Sequence, residues 1–313
     1  MSEKRTRVKR RIRPLAGIPL VLLAAAGLYV AGVVARSGAV VAMGQANGCS
    51  LARVLPIHAV QAAITNWRLL RDTKVEPVMG TDLVVHRTPV RDFYAPKGSA
   101  LQFVLTEQLT HVYGDGEYRV RPGDVVLDCG ANTGTFVHEA LTAGASKVVA
   151  VDPSPGNVEA MKRTFAKEIA EGRVVVYAKG VWDKDDFFEM NIYTNSALDS
   201  FVMKTRDEVA GQTPVKVRLP LTTIDKMVAE LGLGKVDYIK MDIEGAERQA
   251  ISGAAETIRK FRPRMSIATE NLDDDYLKVP EAVLAIRGDY KSTCLLCRDL
   301  SLTSARPDIV HFN

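Results

Sequence analysis

Apolar and polar positions along the C-terminal two thirds of the chain predict buried strands that alternate with helices. Six mostly apolar runs have the length of strands: Val125–Asp128, Lys147–Val151, Arg173–Ala178, Val236–Met241, Arg264–Thr269 and Tyr290–Leu296. Helical periodicity lies between them at Thr135–Ala143, Gly156–Glu171, Thr223–Leu231 and Gly245–Lys260. Apolar strands separated by helices predict an α/β fold, with a parallel sheet covered on both faces.

Shorter patterns surround this alternation. Phe187–Tyr193 and Val215–Leu219 have the character of an inserted hairpin with a polar loop between its strands. Upstream, the run VEPVMGTDLVVHR predicts another hairpin with Gly80 at its turn. Ser99–Val112 predicts a helix with Ser99 as its N-terminal cap.

The N-terminal pattern is that of a membrane segment. Leu15–Ala35 contains no charged residue across 21 positions, and as a helix it would be roughly 31 Å long, about the thickness of a bilayer core. Residues 1–13 hold seven Lys or Arg, and Arg36 follows the apolar run. We predict a transmembrane helix or signal anchor. A cleaved signal peptide is one alternative, although its apolar region is usually only about 7–15 residues, and a buried soluble helix is another.

Composition adds a limit on partners. The chain has 313 residues, 47% hydrophobic and 25% charged, with a formal net charge of +4, so it is large enough for a substantial core. Without residues 1–13 the chain keeps 34 basic and 36 acidic residues, so the positive charge belongs to the tail. Because a nucleic-acid-binding domain needs a basic face of its own, we expect no nucleic-acid partner.

The four cysteines do not form a regularly spaced disulfide framework. Cys129 lies in a loop between an Asp and a Gly, and Cys49 is remote from the others in sequence. Cys294 and Cys297 have redox or metal spacing, but no second pair and no nearby His completes a zinc site. We expect these two to be packed thiols on a late strand, and we expect no metal site.

The strongest chemical signal is the segment VVLDCGANTG, Val125–Gly134, where a predicted strand turns into a helix. Its glycines let the backbone turn sharply and approach a ligand. Asp152 ends the next strand, 22 residues after Gly130, which is the spacing at which an acid accepts ribose hydroxyls. These features predict a nucleoside pocket; the alternative is an ordinary tight turn followed by a turn Asp before Pro153.

The charge at this turn bears on the kind of cofactor. A dinucleotide site usually carries G-x-G-x-x-G, which brings a pyrophosphate to the helix N-terminus. Here the pattern is D-x-G-x-N-x-G, with Asp128 before the first glycine. An acid at that position would repel a pyrophosphate but would attract a cationic amino group, which favours a cofactor with an amino-acid end, such as S-adenosylmethionine.

Three segments, VLDCGANTGTF, AVDPSP and YIKMDIEGAERQAISGA, resemble the FkbM family of class I methyltransferases. The resemblance covers about Asp124–Asn271, and the block Lys240–Glu247 is its most specific part. It implies a Rossmann-like methyltransferase sheet, mostly parallel with a C-terminal antiparallel hairpin, and S-adenosyl-L-methionine as methyl donor for a hydroxyl oxygen. The cofactor-binding residues that it implies are Asp128, Gly130, Asn132 and Gly134 at the methionine end, Asp152 at the ribose, and Gly180 and Val181 near the adenine. The family commonly has Glu where this chain has Asp152.

The candidate catalytic residues are acids near two strand ends. A hydroxyl acceptor must lose its proton to a group within hydrogen-bond reach, and Asp242 and Glu270 are placed to take it. Glu244 is the third candidate; we expect it in or near the first helical turn, paired with Arg248. The alternatives are that Glu244 and its neighbour Glu247 are only helix-start acids, or that the carboxylates bind a divalent cation.

We divide the chain into a basic cytosolic tail (1–14), the membrane segment (15–35), a membrane-proximal helical region (36–71), an N-terminal extension (72–121) and a methyltransferase domain (122–313). The positive-inside tendency places the tail in the cytosol, so one crossing would carry the domain outside, where an adenosyl cofactor is not expected. A re-entrant hairpin or an interfacial helix within Leu51–Leu70 would keep the domain on the cytoplasmic side, as we expect.

The leading functional hypothesis is a membrane-anchored S-adenosylmethionine-dependent methyltransferase acting on a small-molecule, glycan or lipid acceptor. The alternatives are a nicotinamide-dependent oxidoreductase, against which the missing G-x-G-x-x-G argues, and a non-catalytic nucleoside-binding scaffold.

Overall fold

The computed structural model describes residues 57–192, 200–201, 215–301 and 304–313, with isolated positions between 31 and 49. The helices are α1 (Ile57–Asp72), α2 (Leu101–Leu109), α3 (Thr135–Thr142), α4 (Pro155–Thr164), α5 (Ala166–Ala170), α6 (Ile224–Glu230), α7 (Glu247–Ser252), α8 (Ala255–Phe261) and α9 (Asp275–Ile286). The first seven strands are β1 (Lys74–Pro77), β2 (Leu83–Arg87), β3 (Asp92–Pro96), β4 (Val125–Cys129), β5 (Lys147–Val151), β6 (Val174–Tyr177) and β7 (Gly180–Val181). The other seven are β8 (Asp186–Ile192), β9 (Ser200–Phe201), β10 (Val215–Thr222), β11 (Tyr238–Met241), β12 (Arg264–Ala268), β13 (Ser292–Ser301) and β14 (Ser304–Phe312).

A seven-stranded sheet organises the domain, with strand order β13-β14-β12-β11-β4-β5-β6. The five strands from β12 to β6 in this order pair in parallel, whereas β14 pairs antiparallel with both β12 and β13. The predicted α/β fold with a mostly parallel sheet and a C-terminal antiparallel hairpin is therefore confirmed. The six apolar runs are strands, and the sequence pattern missed β14.

The core lies on both faces of this sheet because successive strand residues point in opposite directions. On β4 and β11, Val126 and Tyr238 pack into the cluster on one face. Leu127 and Ile239, one position further along each strand, pack into the cluster on the other face. Helices cover both clusters, as the apolar runs predicted.

Two predicted helices are each divided into two. Gly156–Glu171 forms α4 and α5, with a break at the buried Phe165, and Gly245–Lys260 begins later than expected and forms α7 and α8. At the second break, a Cβ on Gly253 would lie 2.0 Å from the backbone oxygen of Trp182. The chain therefore needs glycine where the helix ends against the neighbouring loop.

The extension before β4 contains a small antiparallel sheet in the order β1-β2-β3. The predicted hairpin is present, with Gly80 at a φ of 75° in its turn, and β3 adds a strand that the pattern did not reveal. Helix α2 begins at Leu101, and its N-terminal residue Ala100 makes no side-chain cap bond, so the prediction that Ser99 caps this helix is wrong. The inserted hairpin is also present, as β8 paired antiparallel with β10.

The predicted transmembrane segment Leu15–Ala35 lies outside the described residues, apart from isolated positions. Among the residues that the structure does describe, no helix has the length and apolar character that a bilayer crossing requires.

The cysteine expectation needs correction. Cys297 forms a disulfide with Cys49, 248 residues earlier in the chain. Cys297 is therefore not the packed thiol that we expected. Cys294 is a buried thiol as expected, and its Sγ lies 3.3 Å from that of Cys297. Irregular pairing of β13 with β14 between these positions lets residues three apart face the same side. Sequence spacing could not reveal the pair, because only the fold brings Cys49 to this strand.

Candidate functional site

A cavity of about 470 Å³ lies where the parallel strands end. This volume is within the range of small-molecule sites. The sheet side of its wall comes from residues after four strands: Gly130 and Asn132 after β4, Asp152 after β5, Asp242 and Glu244 after β11, and Glu270 after β12. Carboxyl ends of parallel strands are where open α/β sheets bind ligands.

The glycine turn after β4 forms the floor of the cavity. Gly130 has a φ of 80°, and a Cβ there would lie 1.8 Å from the backbone oxygen of Asp242. Glycine is therefore required for the β4 and β11 loops to approach each other. Gly134, with a φ of 86°, precedes α3 and packs against Phe165. It shapes the turn and does not line the cavity.

Asp152 lines the cavity and also closes the turn. Its Oδ2 accepts a hydrogen bond from the backbone N–H of Asn132 at 2.9 Å, and its Oδ1 accepts one from the N–H of Ser154 at 2.9 Å. The side-chain amide of Asn157 donates to the same carboxylate at 3.3 Å. Burial raises the pKa of Asp152 to about 6, although these hydrogen bonds act in the opposite direction. The carboxylate is therefore mostly ionised at neutral pH.

Asp128 occupies a different position from the one that its place in the motif suggested. It is fully buried beneath the cavity and does not line it. The ammonium of Lys240 lies between, 3.4 Å from Asp128 Oδ1 and 3.9 Å from Asp242 Oδ2, and donates to the backbone oxygen of Gly130 at 2.8 Å. Burial would lower the pKa of Lys240, but the two acids outweigh burial and raise it. Lys240 thus pairs with neighbouring acids.

Asp242 faces the cavity and is held from the other side by Tyr113. The Tyr113 hydroxyl donates to Asp242 Oδ2 at 2.7 Å, and its ring lies 5.1 Å from the Lys240 ammonium. Burial and the adjacent carboxylate raise the pKa of Tyr113, so its proton stays on the phenol. The Asp242 carboxylate is therefore fixed by a neutral donor and lies near an ammonium.

We expected Glu244 in or near the first helical turn and paired with Arg248, but the structure places it in the turn three residues before α7. Glu244 is exposed at the cavity with a φ of 59°, and α7 begins at Glu247. Arg248 instead pairs with Asp274 and, at 2.7 Å, with Asp275. The left-handed conformation of Glu244 turns the chain between β11 and α7.

Glu247 is buried and supports the same loop. Its Oε1 accepts the backbone N–H of Ile243 at 2.9 Å and the side-chain amide of Asn271 at 3.1 Å. Burial raises the pKa of Glu247 to about 7. It is therefore more than an exposed acid at a helix start.

The remaining predicted residues also lie at the cavity. Glu270, Gly180 and Val181 line it, and a Cβ on Gly180 would meet Leu221 at 2.6 Å. The opposite wall is helix α2 and the residues just before it. Its contributors are Ser99, Ala100, Phe103, Val104, Glu107 and Gln108.

The charges around the cavity are mostly negative. Five acids line it: Glu107, Asp152, Asp242, Glu244 and Glu270. Two bases line it, Lys179 and Lys240. The excess of acids favours a cationic ligand and disfavours a polyanion such as a pyrophosphate.

A family model described as the methyltransferase FkbM domain matches residues 128–285, about half of the chain. The chain belongs to the FkbM methyltransferase family. Among curated proteins, the 31-O-demethyl-FK506 methyltransferase FkbM of Streptomyces tacrolimicus is 25% identical over 213 residues, covering 60% of this chain and 80% of that protein. The methyltransferase sdnD of Sordaria araneosa is 24% identical over 191 residues, covering 52% of this chain and 73% of that protein.

Among solved structures, the methyltransferase FkbM of Methylobacillus flagellatus aligns with a TM-score of 0.46 and 17% identity, over 68% of this chain. The aligned part spans 53% of that chain, about half of its length.

The FkbM match includes the sheet side of the cavity but not the opposite wall. Asp128, Asp152, Asp242 and Glu270 all lie within residues 128–285, whereas α2 and Tyr113 precede them. Tyr113, the α2 wall and Asn157 were not among the site residues predicted from the sequence. Asn157 carries a weak signal, since it lies in the first turn of the helix that follows Asp152. Tyr113 carries none, because only the fold brings it to Asp242, 129 residues later.

Proposed function

We propose that this protein is an S-adenosyl-L-methionine-dependent methyltransferase that methylates a hydroxyl oxygen on a sugar, lipid or secondary metabolite at a membrane. The observation that carries the proposal is the acid-rich cavity beside the Gly130 turn, at the strand ends of an FkbM-family sheet. The oxygen acceptor is supported by the relative from Streptomyces tacrolimicus, which is named as a 31-O-demethyl-FK506 methyltransferase.

The residues present fit this cofactor. It carries a sulfonium, an ammonium and one carboxylate, so its net positive charge suits a cavity with five acids and two bases. Gly130 lets the loops after β4 and β11 meet at the floor of the cavity, and Asp152 presents a buried carboxylate where a ribose would lie. Gly180 and Val181 would border the adenine. Asp128 contributes from beneath, through Lys240, and the loop of Asn132 and Gly134 shapes the turn.

When bound, S-adenosylmethionine supplies an electrophilic methyl group. The acceptor oxygen forms a bond to the methyl carbon as the sulfur–carbon bond breaks, and the acceptor proton passes to a carboxylate. We assign that carboxylate to Asp242, which Tyr113 orients by a 2.7 Å hydrogen bond. Glu270 and Glu244 line the same cavity and would bind the acceptor or serve as the base in place of Asp242.

The membrane part of the proposal rests on the uncharged segment Leu15–Ala35 and the basic tail before it. Basic residues beside an apolar segment favour anionic headgroups. We propose that this segment anchors the protein at a membrane; the Cys49–Cys297 disulfide is typical of an oxidising compartment and argues against the cytoplasmic placement that the sequence favoured.

Isothermal titration calorimetry tests the cofactor. We expect heat on addition of S-adenosylmethionine and none with NAD. Asp152→Ala should weaken binding by about 10–100-fold, the effect of losing a hydrogen bond to a charged group. Asp186→Ala, an exposed acid on β8, should bind normally. Absence of heat with S-adenosylmethionine, or full affinity in Asp152→Ala, contradicts the assignment; tight NAD binding alone would indicate an oxidoreductase.

The base has its own test. Asp242→Asn keeps the shape of the side chain but removes its basicity, so we expect it to bind the cofactor and to lose methyl transfer in a purified assay. Unchanged transfer would show that Asp242 is not the base.

A further inference from the structure

Helix α1 presents large apolar side chains away from the domain. Its inner face, which packs against the domain, carries mostly small or polar residues: Ala62, Thr65, Asn66 and Leu69. Its outer face carries larger apolar residues, which are 57%, 47%, 60% and 58% exposed: Val60, Ile64, Trp67 and Leu70. An amphipathic helix normally buries its apolar side, so this arrangement indicates a partner that covers the outer face.

The chemistry of the outer face of α1 matches a bilayer surface. Tryptophan is enriched at the membrane interface, and the guanidinium of Arg71 lies 4.9 Å from the Trp67 ring. Arg68 is exposed beside the apolar residues, and residues 57–67 contain no Asp, Glu, Lys or Arg. The uncharged segment Leu15–Ala35 ends 22 residues before α1 begins. A chain held in the bilayer by that segment brings α1 to the same surface.

Helix α2 lies between the inner face of α1 and the cavity. Leu69 of α1 packs in one core cluster with Leu101 and Leu105 of α2, and Thr106 donates to Asn66 at 3.4 Å. Phe103 lies one turn before Thr106. It is 61% exposed and also lines the cavity. The helix that packs on α1 is thus also a wall of the catalytic cavity.

We propose that the outer face of α1, together with Phe103, lies in the interface of a bilayer and opens the cavity to an acceptor hydroxyl carried by a lipid. This inference rests on the proposed methyltransferase function and narrows its acceptor to the lipid class. Amphipathic helices bind membranes by burying their apolar face at the boundary between headgroups and acyl chains. A lipid headgroup beside α2 then reaches Asp242 without leaving the membrane surface.

The two tryptophans of the chain provide the test for the surface. Full-length protein is reconstituted in vesicles of phosphatidylcholine with a quarter phosphatidylglycerol, either plain or brominated high on the acyl chains. Trp182→Phe leaves Trp67 as the reporter, and Trp67→Phe leaves Trp182, which packs against the core. Bromine should reduce Trp67 emission at least about twofold and leave Trp182 emission unchanged.

A charged residue on the outer face of α1 should remove this face from the bilayer, and a charged residue on another exposed helix is the matched control. In the Trp182→Phe background, Ile64→Glu should remove most of the quenching of Trp67. Leu277→Glu, which changes an equally exposed apolar residue on α9, should leave it unchanged. Calorimetry with S-adenosylmethionine checks that both variants are folded. If Trp67 is not quenched in a protein that binds the cofactor, the outer face of α1 does not lie in the bilayer. A dimer in detergent would then indicate that a second copy of the chain covers this face.

A second experiment, methyl labelling of a lipid extract, tests whether the acceptor is a lipid. The full-length protein is incubated with S-adenosylmethionine tritiated in the methyl group and a lipid extract of the cells in which it is native. We expect label in the organic phase, and at least about tenfold less of it with Ile64→Glu, because docking positions the acceptor. Label confined to the aqueous phase overturns the lipid acceptor. Quenching without any cofactor binding would instead overturn the proposed function and leave the membrane face standing.

Discussion

Replacing Glu247 with glutamine should make the protein more stable above neutral pH. Glu247 is 1% exposed, and burial raises its pKa from 4.5 to about 7. Its Oε1 accepts two hydrogen bonds, while its Oε2 accepts none from the described part of the chain. Glutamine has the shape of the protonated acid and keeps an oxygen for both bonds, so the substitution removes the buried charge and little else.

The raised pKa of Glu247 determines the size of the stability gain and the pH range in which the gain changes. A pKa that is about 2.5 higher in the folded protein corresponds to a free-energy difference of about 3 kcal/mol between the ionised and protonated forms. Because the folded-state pKa is raised, the folded protein holds more protons than the unfolded chain between pH 4.5 and about 7. Stability therefore falls as the pH rises through this window and stays lower above it. The gain from Glu247→Gln should be about 1 kcal/mol at about pH 5 and about 3 kcal/mol at about pH 8.

Urea unfolding at these two pH values measures the difference. Other groups titrate in the same window, including Asp152, but they are common to both proteins and cancel in the comparison. Glu256→Gln is the matched control, since Glu256 is an exposed acid in the first turn of α8, and it should change the free energy of unfolding little at either pH. A gain that is equal at both pH values, or a loss of stability at about pH 8, would refute the reasoning.

Three further predictions concern the turn, the cavity and the disulfide. Gly130→Ala should cost more than about 3 kcal/mol of unfolding free energy, because its Cβ would meet a backbone oxygen at 1.8 Å. Gly123→Ala, at a φ of 85° with nothing within 4 Å, should cost only about 1–2 kcal/mol. Tyr113→Phe should lower the unfolding free energy by about 1–3 kcal/mol, since it removes a 2.7 Å bond to a carboxylate; unchanged urea unfolding would contradict this. Non-reducing peptide mapping should find Cys49 linked to Cys297, and reduction should lower stability by at most about 5 kcal/mol for so long a loop.

The apolar strands β4, β5, β11 and β12 were predictable because each is buried along almost its whole length and bounded by turn residues. β14 was not, since Arg306, Pro307, Asp308 and His311 interrupt its apolar pattern. In the fold, Arg306 donates to the backbone oxygen of Glu270 at 2.9 Å, and the ring of His311 contacts Ser266 at 2.7 Å. Partners on distant segments make these polar residues acceptable in a buried strand, and periodicity does not contain that information.

The site shows the same limit. The positions of Gly130, Asp152 and Asp242 followed from their places after strands, because strand ends of a parallel sheet meet at one edge. The role of Asp128 did not follow. Its position in the motif suggested a direct ligand, but the alternation of side chains along β4 directs it into the protein. Whether a strand-end acid faces the cavity or the core depends on register, which the motif spacing does not specify.

Asp128 is buried and does not line the cavity. The cavity nevertheless favours a cationic ligand, because other acids line it. Lys240 neutralises Asp128 beneath the cavity and lies near Asp242 at its edge. Neither acid alone therefore accounts for the preference of the cavity for a cationic ligand. The excess of acids comes from the cavity wall as a whole, including Glu107 of α2. A helix outside the FkbM match thus contributes to the charge of the site, to its wall through Phe103, and to the packing of α1. If the proposed function holds, cofactor recognition and access of the acceptor both depend on this helix, so changes in α2 should affect both.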